Sequence, residues 1–311
     1  MKAVRFHEYG GPEVLRYEDV DRPRPAAAQV LIRVAATSFN PVDAAIRSGF
    51  LQQVFPVALP HTPGIDVAGT LAQIGEGVAG WSVGEAVVGF LPMTEDGASA
   101  EFVLAPAELL TGAPTSIPLV DAAALPSASL SAWQALFEQA DLKAGQRVLV
   151  NGAGGGVGGY ALQLAKQAGA TVIATASLRS REAVEALGAD RIVDYTATAV
   201  TEAISEPVEV VLNLVNAPES DLAGLTDLVS DGGVLVSTTS PVRDDPGRDV
   251  RSVRLFVRSD AGQLATIVER VDSGELRVDV SERFPLSEIA RVHELGEAGK
   301  FRGKVILTPD A

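Results

Sequence analysis

Residues 151–159 read NGAGGGVGG, and that density of glycine is the strongest chemical signal in the chain. A strand-like run at 148–150 (VLV) leads straight into it. Apolar Val157, Ala161, Leu164 and Ala165 mark a helix leaving it. Strand, glycine turn and helix together present backbone N–H groups at a helix N-terminus. Residues without Cβ let a pyrophosphate come close to them. Two spacings are open, Gly154-Gly156-Gly159 and Gly152-Gly155-Gly158, and the expected contacts centre on Gly154, Gly155, Gly156 and Val157. The competing reading is a purely structural turn. A second strand at 171–176 completes a βαβ unit and favours the dinucleotide reading. No Gly-Lys-Ser/Thr follows, which excludes a P-loop.

The end of that second strand speaks to which dinucleotide. An NAD site places a carboxylate there for the ribose hydroxyls. Here Ser177 and Leu178 are followed by Arg179 and Arg181, with no acid before Glu182. A 2′-phosphate is repelled by a carboxylate and held by guanidinium, so Ser177, Arg179 and Arg181 point to NADP. Otherwise the arginines are solvated charge at a helix start.

These residues need a scaffold, and the chain divides into two patterns. The first hundred residues hold short β-type runs (30–35, 67–74, 85–90) bounded by Gly10-Gly11-Pro12, Gly75 and Gly80. One short helix is expected at 41–47, with Asn40 at its N-cap and Pro41 at its first position. This reads as a β-rich domain of partly closed barrel type. From about Asp121 helical and strand patterns alternate: helices at 130–139, 181–187 and 221–229, strands at 148–150, 171–176, 191–193, 208–214 and 233–237. Such alternation implies α/β architecture with a doubly wound parallel sheet. The tail adds a β-type run at 253–257, helices at 263–271 and 286–297, and a strand at 304–307.

Bulk properties exclude several classes. The 311 residues carry a net charge of −15, which disfavours nucleic acid or anionic lipid as partner. There is no cysteine, hence no disulfide, thiolate zinc site or cysteine nucleophile. No apolar run reaches membrane-spanning length and no leader pattern opens the chain, so a cytoplasmic, soluble protein is expected.

In this setting the sequence resembles the medium-chain dehydrogenase/reductase superfamily, in its zinc-free quinone oxidoreductase branch. The resemblance runs through MKAVRFHEYGGPEVL, SFNPVDAAIRSG, PGIDVAGTLAQIGEGVAGWSVGEAVVG, AAALPSASLSAWQAL, NGAGGGVGGYALQLAKQAGA, LGADRIVDY and PLSEIARVHELGEAGKFRGKVIL. It implies a GroES-like substrate domain from 1–120 and 260–311, and a Rossmann domain from 121–259. It also implies that Asn40 lies beside the nicotinamide ribose, that Ser131 approaches the cofactor phosphates, and that Tyr195 packs near the adenosine phosphate. By residue type alone these three are an N-cap, a helix-start hydroxyl and a loop aromatic. Tyr195 follows the third Rossmann strand, expected to neighbour the second only through the first.

The departures from the family pattern carry information too. LNLVNAP stands where relatives often have Asp and paired glycines. Gly64-Ile65-Asp66 and Asn40 stand where zinc-containing relatives carry Gly-His-Glu and a zinc-binding Cys. The three histidines, His7, His61 and His293, show no ligand spacing, although His61 with Asp66 is a conceivable fragment. No Tyr-x-x-x-Lys motif exists. With neither metal nor general acid, the expected substrate is an apolar, intrinsically good hydride acceptor in a cleft between the domains. That is a quinone or, alternatively, an α,β-unsaturated carbonyl. A third reading is a non-catalytic NADP-binding redox sensor. Residues 251–258 (RSVRLFVR) read as an edge strand able to pair across a two-fold axis, and a homodimer is expected.

Overall fold

The structure is a computed structural model describing residues 1–310, apart from the side chains of 219–221 and 223. In chain order, strands β1 (Lys2–Phe6), β2 (Leu15–Asp19) and β3 (Gln29–Ser38) precede helix α1 (Pro41–Arg47). Strands β4 (Asp66–Ile74), β5 (Ala86–Phe90), β6 (Phe102–Pro106) and β7 (Leu110–Gly112) follow. Next come α2 (Pro126–Trp133), β8 (Arg147–Asn151), α3 (Gly156–Gln167), β9 (Thr171–Ala176), α4 (Arg181–Ala186) and β10 (Arg191–Asp194). Then α5 (Val200–Ala203), β11 (Val208–Asn213), α6 (Glu219–Asp227), β12 (Val229–Ser237) and β13 (Arg251–Arg254). Last are α7 (Ala261–Asp272), β14 (Val280–Pro285), α8 (Ile289–Glu297) and β15 (Lys304–Thr308).

Two compact units result. The first holds Met1–Ser127 and the chain from Ser259 onward; the second holds Ala128–Arg258. Residues 121–127, which the sequence pattern assigns to the second unit, go with the first. Ser127 explains this, because its backbone N–H and its hydroxyl both bind Asp66 at 2.7 and 2.8 Å.

In the first unit a sheet runs β14-β15-β3-β4-β5-β7, with β6 also paired to β3. The C-terminal strand closes it: Ile306 and Leu307 of β15 pair antiparallel with Ser38 and Thr37 of β3. The tail thus contributes a strand to this sheet. Val30, Ile32 and Val34 alternate along β3 and bury against Val67, Leu71, Val87 and Val103. Helix α8 covers β15 and β1 through Ile289 and Val292 against Val305, Leu307 and Val4. Arg47 at the end of α1 is fully buried, held by the Gly10 carbonyl at 3.1 Å, the His293 ring at 3.2 Å and Glu297 at 2.6 Å.

The second unit is a six-stranded, all-parallel Rossmann sheet in the order β10-β9-β8-β11-β12-β13. One expectation is corrected here. β10 hydrogen-bonds directly to β9, with Asp194 opposite Ala176, so no strand separates Tyr195 from Ser177. The chain winds outward from β8 through β9 to β10, then returns to lay β11 on the other side of β8 and continues outward to β13.

The edge strand is also shorter than the residues 251–258 suggest. β13 stops at Arg254. Its partner β12 ends at Ser237, which stands opposite Arg254, while α2 continues into a π-helical turn at Gln134–Gln139. Gln134 Nε2 donates to the Arg258 carbonyl at 2.9 Å, and the Arg258 N–H donates to Gln134 Oε1 at 3.1 Å.

Candidate active site

Asn40 starts α1 from a β-region backbone, as expected of an N-cap. Its helix, however, is capped by backbone and by Asp43. The Asp43 N–H reaches the Asn40 carbonyl at 3.0 Å, and the Asp43 carboxylate accepts from the Asn40 N–H at 3.1 Å. The Asn40 carboxamide is spent elsewhere. Its Nδ2 donates to Asp66 Oδ2 at 2.9 Å, and its Oδ1 accepts from Lys304 Nζ at 2.7 Å.

Asp66, the first residue of β4, has no exposed surface. Its carboxylate collects Ser38 Oγ at 2.5 Å, Asn40 Nδ2, the Ser127 backbone and hydroxyl, and Lys304 Nζ at 3.3 Å. Lys304, the first residue of β15, is 4% exposed. The cluster therefore joins β3, β4, the start of α2 and β15. A buried charge pair is tolerable only with such full hydrogen bonding.

Asp43 sits beside it, 4% exposed. Burial, reinforced by the Asp66 charge, pushes its carboxyl up to about 7; the Gly64 and Asn40 N–H groups and Lys304 act in the opposite sense. Asp43 also lines a small recess with Ile46, His61, Thr62 and Met93.

In the second unit the glycine turn resolves the two spacings. Gly152 has φ +92°, which disfavours any residue with a Cβ. Gly155 is the N-cap of α3, and a Cβ there would meet nothing closer than 3.6 Å. At Gly158 a Cβ would lie 2.4 Å from the Ala153 carbonyl oxygen. Tight turn, open approach and close packing fall on Gly152, Gly155 and Gly158, the three roles a dinucleotide turn requires. Gly154 is constrained differently: a Cβ there would strike Ser180 at 2.6 Å. Gly156 and Val157 form the first turn of α3, whose leading N–H groups have no acceptor within the helix.

This turn lies at the topological switch point, between the C-terminal ends of β8 and β11. A row of neutral side chains crosses it. Thr175 of β9 accepts from the Gly152 N–H at 2.8 Å and donates to Asn151 at 3.0 Å. Asn151 donates to Asn213 of β11 at 2.9 Å, and Asn213 donates to Ser237 of β12 at 3.2 Å. Four adjacent strands are thereby tied together below the turn.

Beyond β9, Ser177 is half-buried, and Arg179 and Arg181 are exposed on either side of buried Ser180. Tyr195, 53% exposed, follows β10. Thr196 donates to Asp194 from side chain and backbone, and with the nearby Arg181 guanidinium holds that carboxyl below its usual range. The structure thus brings Gly154, Ser177, Arg179, Arg181 and Tyr195 to the C-terminal edge of one sheet. Ser131 is buried on α2 of the same unit, whereas Asn40 belongs to the other unit.

Comparison with known proteins agrees with this architecture. The chain is 33% identical to the chloroplast envelope quinone oxidoreductase homolog of Arabidopsis thaliana, covering 99% of this chain and 98% of that one. The chain belongs to the quinone oxidoreductase branch of the medium-chain dehydrogenase/reductase superfamily. Residues 26–115 match the alcohol dehydrogenase GroES-like domain family and residues 187–307 the zinc-binding dehydrogenase family. It is 33% identical to an NADPH-dependent alkenal/one oxidoreductase of Arabidopsis thaliana, covering 99% of this chain and 80% of that one. A mycobacterial protein solved in complex with NADPH superposes with a TM-score of 0.88 at 31% identity, covering 99% of this chain and 100% of that one. The protein is an oxidoreductase.

Within this oxidoreductase each histidine has its own structural partner. His7 meets Glu18 at 3.0 Å. His61 packs edge-on against Phe6 and is lowered by burial. His293, pushed down to about 3 by burial and then by Arg47, is the neutral acceptor for that guanidinium. Among the described residues no group of three or more His, Cys, Asp or Glu is placed to hold a metal ion. Nor is any helix among them long and apolar enough to cross a membrane.

Sequence reasoning missed Lys304, Ser38 and Ser127, and noted Asp66 as a departure and as a conceivable ligand fragment with His61. It also missed Asn151, Thr175, Asn213 and Ser237. A signal for the latter exists: VLVN, VVLN and VLVS each end an apolar run on a polar residue. Asn213 also gives LNLVNAP a reason, as its first asparagine is the centre of the neutral row.

Proposed function

We propose that this oxidoreductase is an NADPH-dependent reductase that passes hydride to a quinone without a metal. The observation that carries the cofactor choice is the end of β9, where Ser177, Arg179 and Arg181 stand with no acidic residue before Glu182. The glycine turn fits a dinucleotide: Gly152 and Gly158 reject a Cβ, and Gly155 leaves the backbone open to approach. Bound there, the nicotinamide supplies the hydride.

The chain's own residues do the holding. Gly156 and Val157 offer N–H groups to the pyrophosphate, Gly155 leaves room for its approach, and Gly154 shapes the same turn. Arg179 and Arg181 pair with the 2′-phosphate, Tyr195 flanks the adenosine side, and Ser131 serves the phosphates. Asn40 orients cofactor and substrate. Of its two amide hydrogens one is bound to Asp66 at 2.9 Å, while the other makes only long contacts with Ser38, at 3.3 and 3.4 Å. The second is the hydrogen left for a ligand oxygen. An amide does not titrate, so proton delivery falls to water. A homodimer through the free edge of β13 completes the proposal.

The test is the initial rate of NADPH and NADH oxidation with simple quinones and with alkenals. Rapid, NADPH-selective quinone reduction is expected. Faster turnover of alkenals would favour the second reading, which the relative of that activity supports. NADPH binding with no turnover of either acceptor class would leave a redox sensor.

A further inference from the structure

We propose that Lys304 is a positioning residue for Asn40: its ammonium sets which way the carboxamide faces and so leaves one chosen N–H for a ligand. This deepens the proposed function and rests on its assignment to Asn40. The two ends of a carboxamide have nearly the same shape, and ordinary packing does not tell them apart. Charge does. Asn40 Oδ1 lies 2.7 Å from an ammonium, which only donates. Asn40 Nδ2 lies 2.9 Å from a carboxylate, which only accepts. Turning the amide over would set donor against donor and acceptor against acceptor at once.

Ser127 does not replace Lys304 in this task. Its single hydroxyl hydrogen has two acceptors in reach, Asp66 at 2.8 Å and Asn40 Oδ1 at 3.1 Å, and the carboxylate is both closer and charged. Asp66, by contrast, keeps four other donors if the ammonium is removed: Ser38, Asn40 and the two groups of Ser127. Loss of Lys304 is therefore felt first at Asn40. The distant origin of the two residues, at the head of α1 and the start of β15, means that the C-terminal strand delivers the orienting charge.

A double-mutant cycle tests this, with Lys304→Met, Asn40→Ala and the double variant. Turnover and KM for NADPH and quinone are measured, together with 15N–1H spectra of the asparagine side chains, which need neither cofactor nor substrate. Lys304→Met should lower kcat about tenfold, move KM for NADPH less than threefold, and shift the side-chain resonances that vanish in Asn40→Ala. The double variant should be no slower than Asn40→Ala. Losses that multiply, or unshifted Asn40 resonances, would overturn the role of Lys304 while leaving Asn40 in place. Full activity of Asn40→Ala would instead overturn the assignment of Asn40 itself, and the Lys304 role with it. Should Lys304→Met not fold, Lys304→Gln, which keeps a donor for Asp66 without the charge, enters the same cycle with the same expected outcome.

Discussion

Each unit carries a buried polar network, and the two are built from opposite materials. Around Asp66 the network is charged: two carboxyl groups and an ammonium, each at most 4% exposed, with an amide and hydroxyls between them. Below the glycine turn it is neutral, made of Asn151, Thr175, Asn213 and Ser237. Neutral groups can be satisfied locally and leave the field at the turn to the backbone dipoles, which is what an anionic ligand requires. Charged groups act over longer range in a low-dielectric interior, so they can orient an amide and shift a neighbour's titration. The contrast separates a region that should respond to charge removal from one that should respond to its ligand's charge.

The largest expected effect comes from breaking the charged network. Asp66→Leu leaves the Lys304 ammonium buried without its counter-ion, which should cost about 3 to 5 kcal/mol of stability. Chemical denaturation measures it. A loss below about 1 kcal/mol would mean that the cluster behaves like the neutral one.

Next is the Asp43 carboxyl, raised from its usual 3.8 to about 7 chiefly by burial. The folded protein therefore binds this proton more tightly than the unfolded chain does. Asp43 contributes most below pH 4, and that contribution falls as pH rises to about 7, by on the order of 4 kcal/mol in all. Titrating the 13C-labelled carboxyl should show a midpoint near 7; a midpoint near 4 would mean that the site is wetter than its burial indicates.

The smallest effect is confined to binding. Removing a single guanidinium group, Arg179→Ala or Arg181→Ala, should raise the NADPH constant roughly ten- to a hundred-fold, since one charge-assisted bond is worth about 1.5 to 3 kcal/mol. NADH binding and the melting temperature should hold. Equal loss for both cofactors would show that the arginines serve the fold.

The glycine turn, its flanking strand and helix, and the arginines after β9 were legible in the residues because each is local. A strand, a turn and a helix within thirty residues obey backbone rules that neighbours in sequence already express. The Asn40 position was legible only in part: its place at the head of α1 follows from Pro41 and Asp43, yet nothing nearby says where its side chain goes. Asp66 read as a departure from the zinc-binding pattern, and Lys304 only as the first residue of the last strand. Tyr195 was set one strand too far from Ser177, because strand order is not written in strand sequence.

The sequence by itself determined the two architectures, the glycine turn and the basic character of the segment beyond β9, all features whose energetics close over short stretches of chain. Only the tertiary structure decided which glycines carry which role, that β10 lies against β9, and that Lys304 reaches Asn40 across 264 positions. The physical reason is common to all three. Steric exclusion of a Cβ, sheet register and the pairing of desolvated charges depend on what lies across the interior, and burial alone gives such distant contacts their strength.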